Sequence, residues 1–427
     1  MFGMSGGDKI VVGFDLGNEV SQISYYIREN EDVETLSMVA GEEVYNIPTL
    51  LCKREGVNQW FFGREAKKYA EENEGILIDN LLTLALDGEE VFVEGVGFDP
   101  VALLTLFFKR TLGMLSKVGN YDKISALMIT CEYLDYNVIQ MLTTVINNLK
   151  MKTDQVFFQS HTESFYHYML HQPKELWLAK TLLFEYRKEG MRIYQMECNK
   201  RTSPIVAYID NRDMEFTSYE PVPEEEKLRA DKFRRLDDEF LDLAKRVCHN
   251  NVITTVYLIG EYFTDEWMKQ SLRFLCKGQR VFQGNNLYSK GACYGMLERL
   301  QASEEGKTHV FLGNDKLTSN IGMKLLCRGE EAYYALLDAG VNWFEAECEL
   351  EFYLQEEKVI EITTTSLIGG GTKTIKITLE ELKTDVSRLK MHLYLCRENC
   401  LAIEIEDLGF GDFCEATHHV WKQEVEL

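Results

Sequence analysis

The hydrophobic and polar positions of the chain fall into two textures, with a change near Ala302. Before it, apolar runs of strand length alternate with helical stripes. IVVGFDL (residues 10–16) is an apolar run closed by an acid, Ser21 to Ile27 alternates as a second strand, and the short link GNE (17–19) makes the pair a hairpin. NIPTLLCKR adds an extended piece and REAKKYAEENE a short polar helix. At PVALLTLFFKRTLGMLSK (100–117), Asp99 as cap and a proline at the first helical position predict a longer helix. ISALMITC then reads as a buried strand, LDYNVIQMLTTVINNLKM as an amphipathic helix, QVFFQS as a strand and HTESFYHYML as a helix.

A second series repeats this order. KTLLFEYRKEGMRIYQMEC is two strands around a turn at Lys188 to Gly190, and SPIVAYIDNRD adds a third. In the charged stretch that follows, Leu228, Phe233, Leu236, Phe240, Leu243 and Val247 mark one helical face. VITTVYLIG reads as a buried strand, TDEWMKQSLRFLCK as a helix, RVFQ as a short strand and SKGACYGMLERLQ as a closing helix. Strands alternating with helices argue for a layered α/β fold, and two successive sets argue for an internal duplication. Beyond Ala302, CELEFYLQ, KVIEITTTSL, TKTIKITL, LKMHLYLC and CLAIEIED alternate with turns and predict a β-rich, sandwich-like unit, with EEAYYALLDAGVN as an exception.

Composition narrows the function classes. At 427 residues and 45% hydrophobic content, two or three units are expected. A net charge of -23 disfavours a nucleic-acid partner. The opening MFGMSGGDKI has no signal-peptide pattern and no run reaches the length of a membrane helix, so a cytoplasmic protein without a membrane span is expected. Eleven cysteines without a CxxC pair, Cys396 and Cys400 coming nearest, fit reduced and mostly buried thiols.

In order and spacing, these segments resemble the actin-like ATPases, and most closely the seventy-kilodalton heat-shock chaperones. GFDLG (13–17) resembles their first phosphate hairpin, Ile47, Pro48 and Thr49 a following strand, and Gly63, Arg64, Glu65 and Ala66 a following helix. Residues 125–170 follow their connecting elements, TTVYLIGEYFTDEWMKQSLRFL sits at their adenosine-contacting strand and turn, and SKGACYGM at their final helix. The resemblance implies a two-lobed actin-like ATPase fold, a duplicated ribonuclease-H-like arrangement, over residues 1–302. Lobe I would be 1–178 with the closing helix 289–301, lobe II 179–288, and the β-rich domain 303–427.

The resemblance also implies sites. Asp15 stands where a carboxylate holds magnesium through water, and Gly17 is kept, but Asn18 and Glu19 replace small hydroxyl residues. The phosphate-directed lysine has no counterpart in IDNLLTLALDG. At the water-positioning acid stands Ser160, with Gln159 before it as a substitute candidate. The second phosphate hairpin becomes FEYRKEG, with Glu185 at its aspartate and Tyr186, Arg187 and Lys188 in place of glycines. Gly260 of the adenosine turn remains, followed by Glu261. Arg187 and Lys188 either meet phosphate as side-chain donors or form a solvated hairpin tip. Thus ATP or ADP with magnesium is one cofactor expectation, and no cofactor is the other. Asp15, Gln159 and Glu185 are the catalytic candidates, and Asp15, Gly17, Asn18, Arg187, Lys188 and Gly260 the nucleotide-binding ones.

Other patterns carry less. DLGFGD (407–412) and GGGTK (369–373) lack the strand-to-helix context of phosphate loops and read as turns. His161, His167 and His171 lie at spacings of six and four around one helix, where His167 and His171 either face together to bind a metal or serve as interface or packing residues. The losses at phosphate-contacting positions favour a degenerate ATPase fold acting as a binding or scaffold protein with a protein or peptide partner. The alternative is an active or weakly active ATPase that couples nucleotide state to partner binding by the β-rich domain. A sugar kinase would need a base that these segments do not mark.

Overall fold

The structure, a computed structural model, describes the chain except residues 1–8, 30–31, 40, 73–74, 119–122, 265, 356–357, 370, 381 and 383–385. The opening MFGMSGGD segment and Gly370 of the triple glycine therefore lie outside the described residues. The chain forms two compact units, Met1–Val310 and Phe311–Leu427.

The first unit is mixed α/β and contains two sheets with the same connectivity. In the first, the strand order is Val156–Ser160, Ile124–Cys131, Ile10–Leu16, Val20–Ile27, Glu34–Thr35. Ile10–Leu16 runs parallel to Ile124–Cys131 and antiparallel to Val20–Ile27, so Asp15 lies beside Thr130 on one side and Gln22 on the other. In the second, the order is Arg280–Gln283, Ile253–Ile259, Lys180–Tyr186, Met191–Asn199, Ile205–Met214, and the chain leaves along this edge as His309–Phe311. Glu185 pairs with Ile259 in parallel and with Arg192 antiparallel, the register position Asp15 holds in the first sheet. Central strands that are buried on both faces explain the nearly unbroken apolar runs IVVGFDL and ISALMITC.

Helices cover these sheets. Asp99 caps Pro100–Gly113 by accepting from the Val101 amide at 3.0 Å, and Asp135 caps Tyr136–Leu149 through Val138 at 2.9 Å. The helix Leu287–Leu300 packs on His161–Leu170 and on the strand Ile10–Leu16. This contact is backbone to backbone: a Cβ on Gly291 would lie 1.9 Å from Ser164 O, and one on Gly13 2.3 Å from Cys293 N. Gly13 of GFDLG thus serves helix packing.

Two expectations need correction here. TDEWMKQSLRFLCK is helical only over Gln270–Leu275, because Asp237, on the neighbouring helix Glu226–Cys248, accepts from the Gln270 and Ser271 amides at 2.7 and 2.9 Å and fixes the start there. Leu228 is 53% exposed, so the buried stripe of that helix begins further on, with Leu236, Phe240, Leu243 and Val247. The sequence reading also did not separate the helix Leu81–Asp87 from the turns around it.

The second unit is built almost wholly of strands. One antiparallel sheet has the order Glu330–Leu337, Ser319–Cys327, Val359–Ser366, Thr372–Thr378, and another Glu347–Gln355, Val386–Arg397, Cys400–Asp407, Val420–Glu426. The expected exception EEAYYALLDAGVN is therefore corrected: its Glu330–Leu337 part is an edge strand, a place that suits solvated glutamates and β-favouring tyrosines. Alternation is clearest in Val386–Arg397, where Leu389, Met391, Leu393 and Leu395 turn inward.

Candidate functional site

The candidate site lies in the first unit, where the ends of the paired parallel strands bring the sequence-marked residues together. Open α/β sheets place ligands at such carboxyl ends. Asp15 Oδ1 lies 2.8 Å from His161 Nε2. His161 opens the helix His161–Leu170, whose N-cap Ser160 accepts from the Glu163 amide at 3.4 Å. Its ring is 8% exposed and lies flat on Tyr288, with centroids 3.9 Å apart and planes at 7°. With Nε2 turned to Asp15, its buried Nδ1 has no hydrogen-bond partner.

The other histidines diverge. His167 Nε2 is 3.6 Å from Glu163 Oε1, while His171 Nε2 is 3.2 Å from Glu298 Oε1 and its ring stacks on Tyr294. The three rings turn to three different carboxylates, so they do not form one metal set. Burial opposes ionisation of Glu298, but hydrogen bonds from His171 and Ser303 outweigh it and hold its carboxyl at about 2. Gln159 does not face the strand ends: it is fully buried, and its amide donates to Ser164 Oγ at 2.7 Å and Gly291 O at 3.4 Å.

The first hairpin tip is tied down by side chains. Asn18 Nδ2 donates to Asn80 Oδ1 at 3.2 Å and Thr83 Oγ1 at 3.0 Å, and its Oδ1 accepts from the Thr83 amide at 3.3 Å. Gly17 answers a steric need of the turn, since a Cβ there would lie 2.4 Å from Val20 O. Glu19 Oε1 is 3.8 Å from Lys188 Nζ, an exposed ion pair between the two hairpin tips.

The second hairpin departs from the solvated-tip reading of Arg187. Tyr186 turns into the core, donating to Thr217 O at 3.0 Å and packing on Phe216, Phe263 and Trp267. Arg187 turns the other way and is neither a solvated tip nor a free donor. It donates to Glu132 Oε1 and Glu185 Oε2, both at 2.8 Å, and reaches Tyr194 Oη at 3.2 Å. Arg192 also donates to Glu132 Oε1, and it grips Asp213 bidentately at 2.6 and 2.7 Å. Burial opposes ionisation of Glu132, but Arg187, and after it Arg192, holds its carboxyl below the usual range. Glu185 is thus one carboxylate of an ion network.

Gly260 has φ +108°, and a Cβ on it would lie 2.3 Å from Tyr186 O. That close approach accounts for the glycine. Glu261 Oε1 accepts from Asn46 Nδ2, Asn46 Oδ1 accepts from Gln22, and Gln22 donates to Asn285 O at 2.7 Å. Residues the sequence reading missed are His161 in its bond to Asp15, Glu132, Arg192 and Tyr194. Only Glu132 carried a signal, as an acid directly after the buried strand ISALMITC.

Chemically, the arrangement offers paired charges and capped carboxylates in place of free phosphate donors. The Cys396, Cys400 and Glu424 ligand atoms in the second unit lie within 4.8 Å of one another. Among the described residues no cysteine is in a disulfide: Cys52, Cys131, Cys293 and Cys400 are buried, whereas Cys276 and Cys327 are exposed, so burial is less general than expected. Among the described residues, no helix is long and apolar enough to cross a membrane.

A mixed α/β unit with a network of paired charges at its strand ends, followed by a unit of antiparallel sheets, is the class these observations define. The chain belongs to the family of unknown function DUF5716, whose C-terminal part it matches over residues 32–314. Residues 316–427 match a domain of unknown function, DUF8552, so the two matches meet close to the division between the compact units. No curated protein matches the chain.

Proposed function

We propose that the first unit is a two-lobed, actin-like fold of the heat-shock-chaperone type whose cleft does not hydrolyse nucleotide, and that the protein acts as a binding or scaffold protein. The repeated strand order of the two sheets supports the fold. The observation that carries the function is the occupation of the cleft by the chain's own charges: Asp15 by His161, Arg187 by Glu132 and Glu185, and Lys188 by Glu19.

These residues do not fit magnesium-ATP. An aspartate bonded to imidazole is a poor ligand for metal-bound water, and the second hairpin presents side chains where close approach of backbone amides to phosphate needs glycine. Glu19, Glu132 and Glu185 neutralise Lys188 and Arg187, the cations a phosphate would need in that hairpin. Phosphoryl transfer depends on preorganised positive charge, so losing it costs many powers of ten in rate.

Calorimetry with magnesium-ATP on the full chain and on Asp15→Ala tests this. The expected result is no binding by either protein at millimolar nucleotide. Micromolar binding that Asp15→Ala abolishes overturns the proposal and favours a nucleotide-coupled ATPase.

A further inference from the structure

Beside the Gly260 turn lies a cavity of about 220 Å³, between the start of the helix Glu226–Cys248 and the segment that follows Ile253–Ile259. Tyr186 and Trp267 form buried parts of its wall. At its mouth Tyr219 and Tyr262 stack, with centroids 3.9 Å apart and planes at 18°. Glu220, Glu261 and Glu266 also line it, against one cation, Lys232. That ammonium donates to Glu220 O at 2.6 Å and Pro221 O at 3.1 Å, pairs with Glu220 Oε2 at 3.8 Å, and sits 6.0 Å from the centre of the Tyr219 ring. The wall therefore combines aromatic faces, an excess of carboxylates and an internal cation held near one ring.

We infer that this cavity binds the guanidinium of an arginine side chain from a protein partner. A phosphate-bearing ligand would meet an excess of carboxylate, three against Lys232, which pairs with Glu220, whereas a cation gains from the two carboxylates in excess, Glu261 and Glu266, and from the aromatic wall. Guanidinium fits better than ammonium because it is planar, weakly hydrated, stacks on aromatic rings and pairs with carboxylates in a fork. The inference rests on the binding-protein reading of the cleft and names the chemistry of what one side of it takes.

The test is calorimetry of the full chain with three probes: N-acetylarginine amide, its neutral isostere N-acetylcitrulline amide, and AMP. The arginine probe should bind in the millimolar range, as expected for one side chain, with the citrulline probe and AMP weaker by at least tenfold. The double substitution E220Q/E261Q should weaken arginine binding by about tenfold, and Tyr219→Ala, at a 37% exposed position that leaves the core intact, should weaken it too. Equal binding of arginine and citrulline probes, tighter binding of AMP, or no binding of the arginine probe overturns the assignment. Loss of this assignment leaves the magnesium-ATP result standing, so the two failures are distinguishable.

Discussion

Glu132→Gln isolates the charge network around Arg187 and Arg192. The wild-type carboxylate accepts from both Arg187 and Arg192, whose side chains are only 23% and 19% exposed. At an effective dielectric near 20, one such pair about 4 Å apart gains up to about 4 kcal/mol before desolvation is counted. Glu132 itself is 36% exposed, so solvent screening lowers the net loss to about 1–2 kcal/mol. For a unit of this size, with an m-value of about 3 kcal/mol/M in urea, the midpoint of its unfolding should fall by about 0.5 M. The loss should shrink in high salt, and Arg187→Met in the same chain should recover part of it by removing the guanidinium left unpaired. The pH sign follows from the depressed carboxyl. Its stabilisation is present above the unfolded value near 4.5 and fades as pH falls through the lower folded value, so variant and wild type converge in acid. An unchanged midpoint, or strictly additive effects of the two substitutions, refutes the network as a stabilising unit.

Gly291→Ala should cost about 3 kcal/mol or more, seen as a sharp fall in thermal midpoint or loss of soluble protein, because its methyl would meet Ser164 O; a fall of only a degree or two would contradict the close helix contact. Asp407→Asn should destabilise the second unit by about 1–3 kcal/mol, since the buried carboxylate accepts from Ser387, Gly409 and Thr417. Hydrogen bonds outweigh burial and depress that carboxyl, so its contribution is present above pH 3.8 and lost as pH falls below; faster proteolysis of the 408–418 loop at neutral pH, fading in acid, is the readout. Thiol titration should label Cys276 and Cys327 first and leave Cys52 and Cys293 silent until denaturant is added, with fast labelling of Cys293 contradicting its packing against the first strand.

What the sequence made legible follows from the range of the forces involved. ISALMITC and HTESFYHYML match their elements to the residue, because apolar runs and local caps such as Asp99 and Ser160 act within a few positions. The helix within TDEWMKQSLRFLCK was overestimated because its start is set by Asp237, more than thirty positions earlier in the chain. EEAYYALLDAGVN was left as an exception because a solvated edge strand lacks the alternation that burial imposes. In the site, the positions of Asp15, Glu185 and Gly260 at strand ends were readable. The partners of Arg187 were not, since Glu132 lies 55 positions away and only the folded sheet brings it near.

The pairing of polar side chains at the two hairpins supports one further step. Substitutions that merely accumulated would leave polar groups without partners, each costing about 1–3 kcal/mol when buried. At the hairpin tips Asn18 meets Thr83, Glu19 meets Lys188 and Arg187 meets Glu132, whereas the buried Nδ1 of His161 and Oε1 of Gln159 have no hydrogen-bond partner among the described residues. Polar residues of one hairpin are thus tied to residues of another element. Such reciprocity joins the two hairpins through the chain's own side chains. On the reading we propose, breaking a single partner should loosen the joint without creating a nucleotide site, and calorimetry of Glu132→Gln should show no magnesium-ATP binding even where its stability falls.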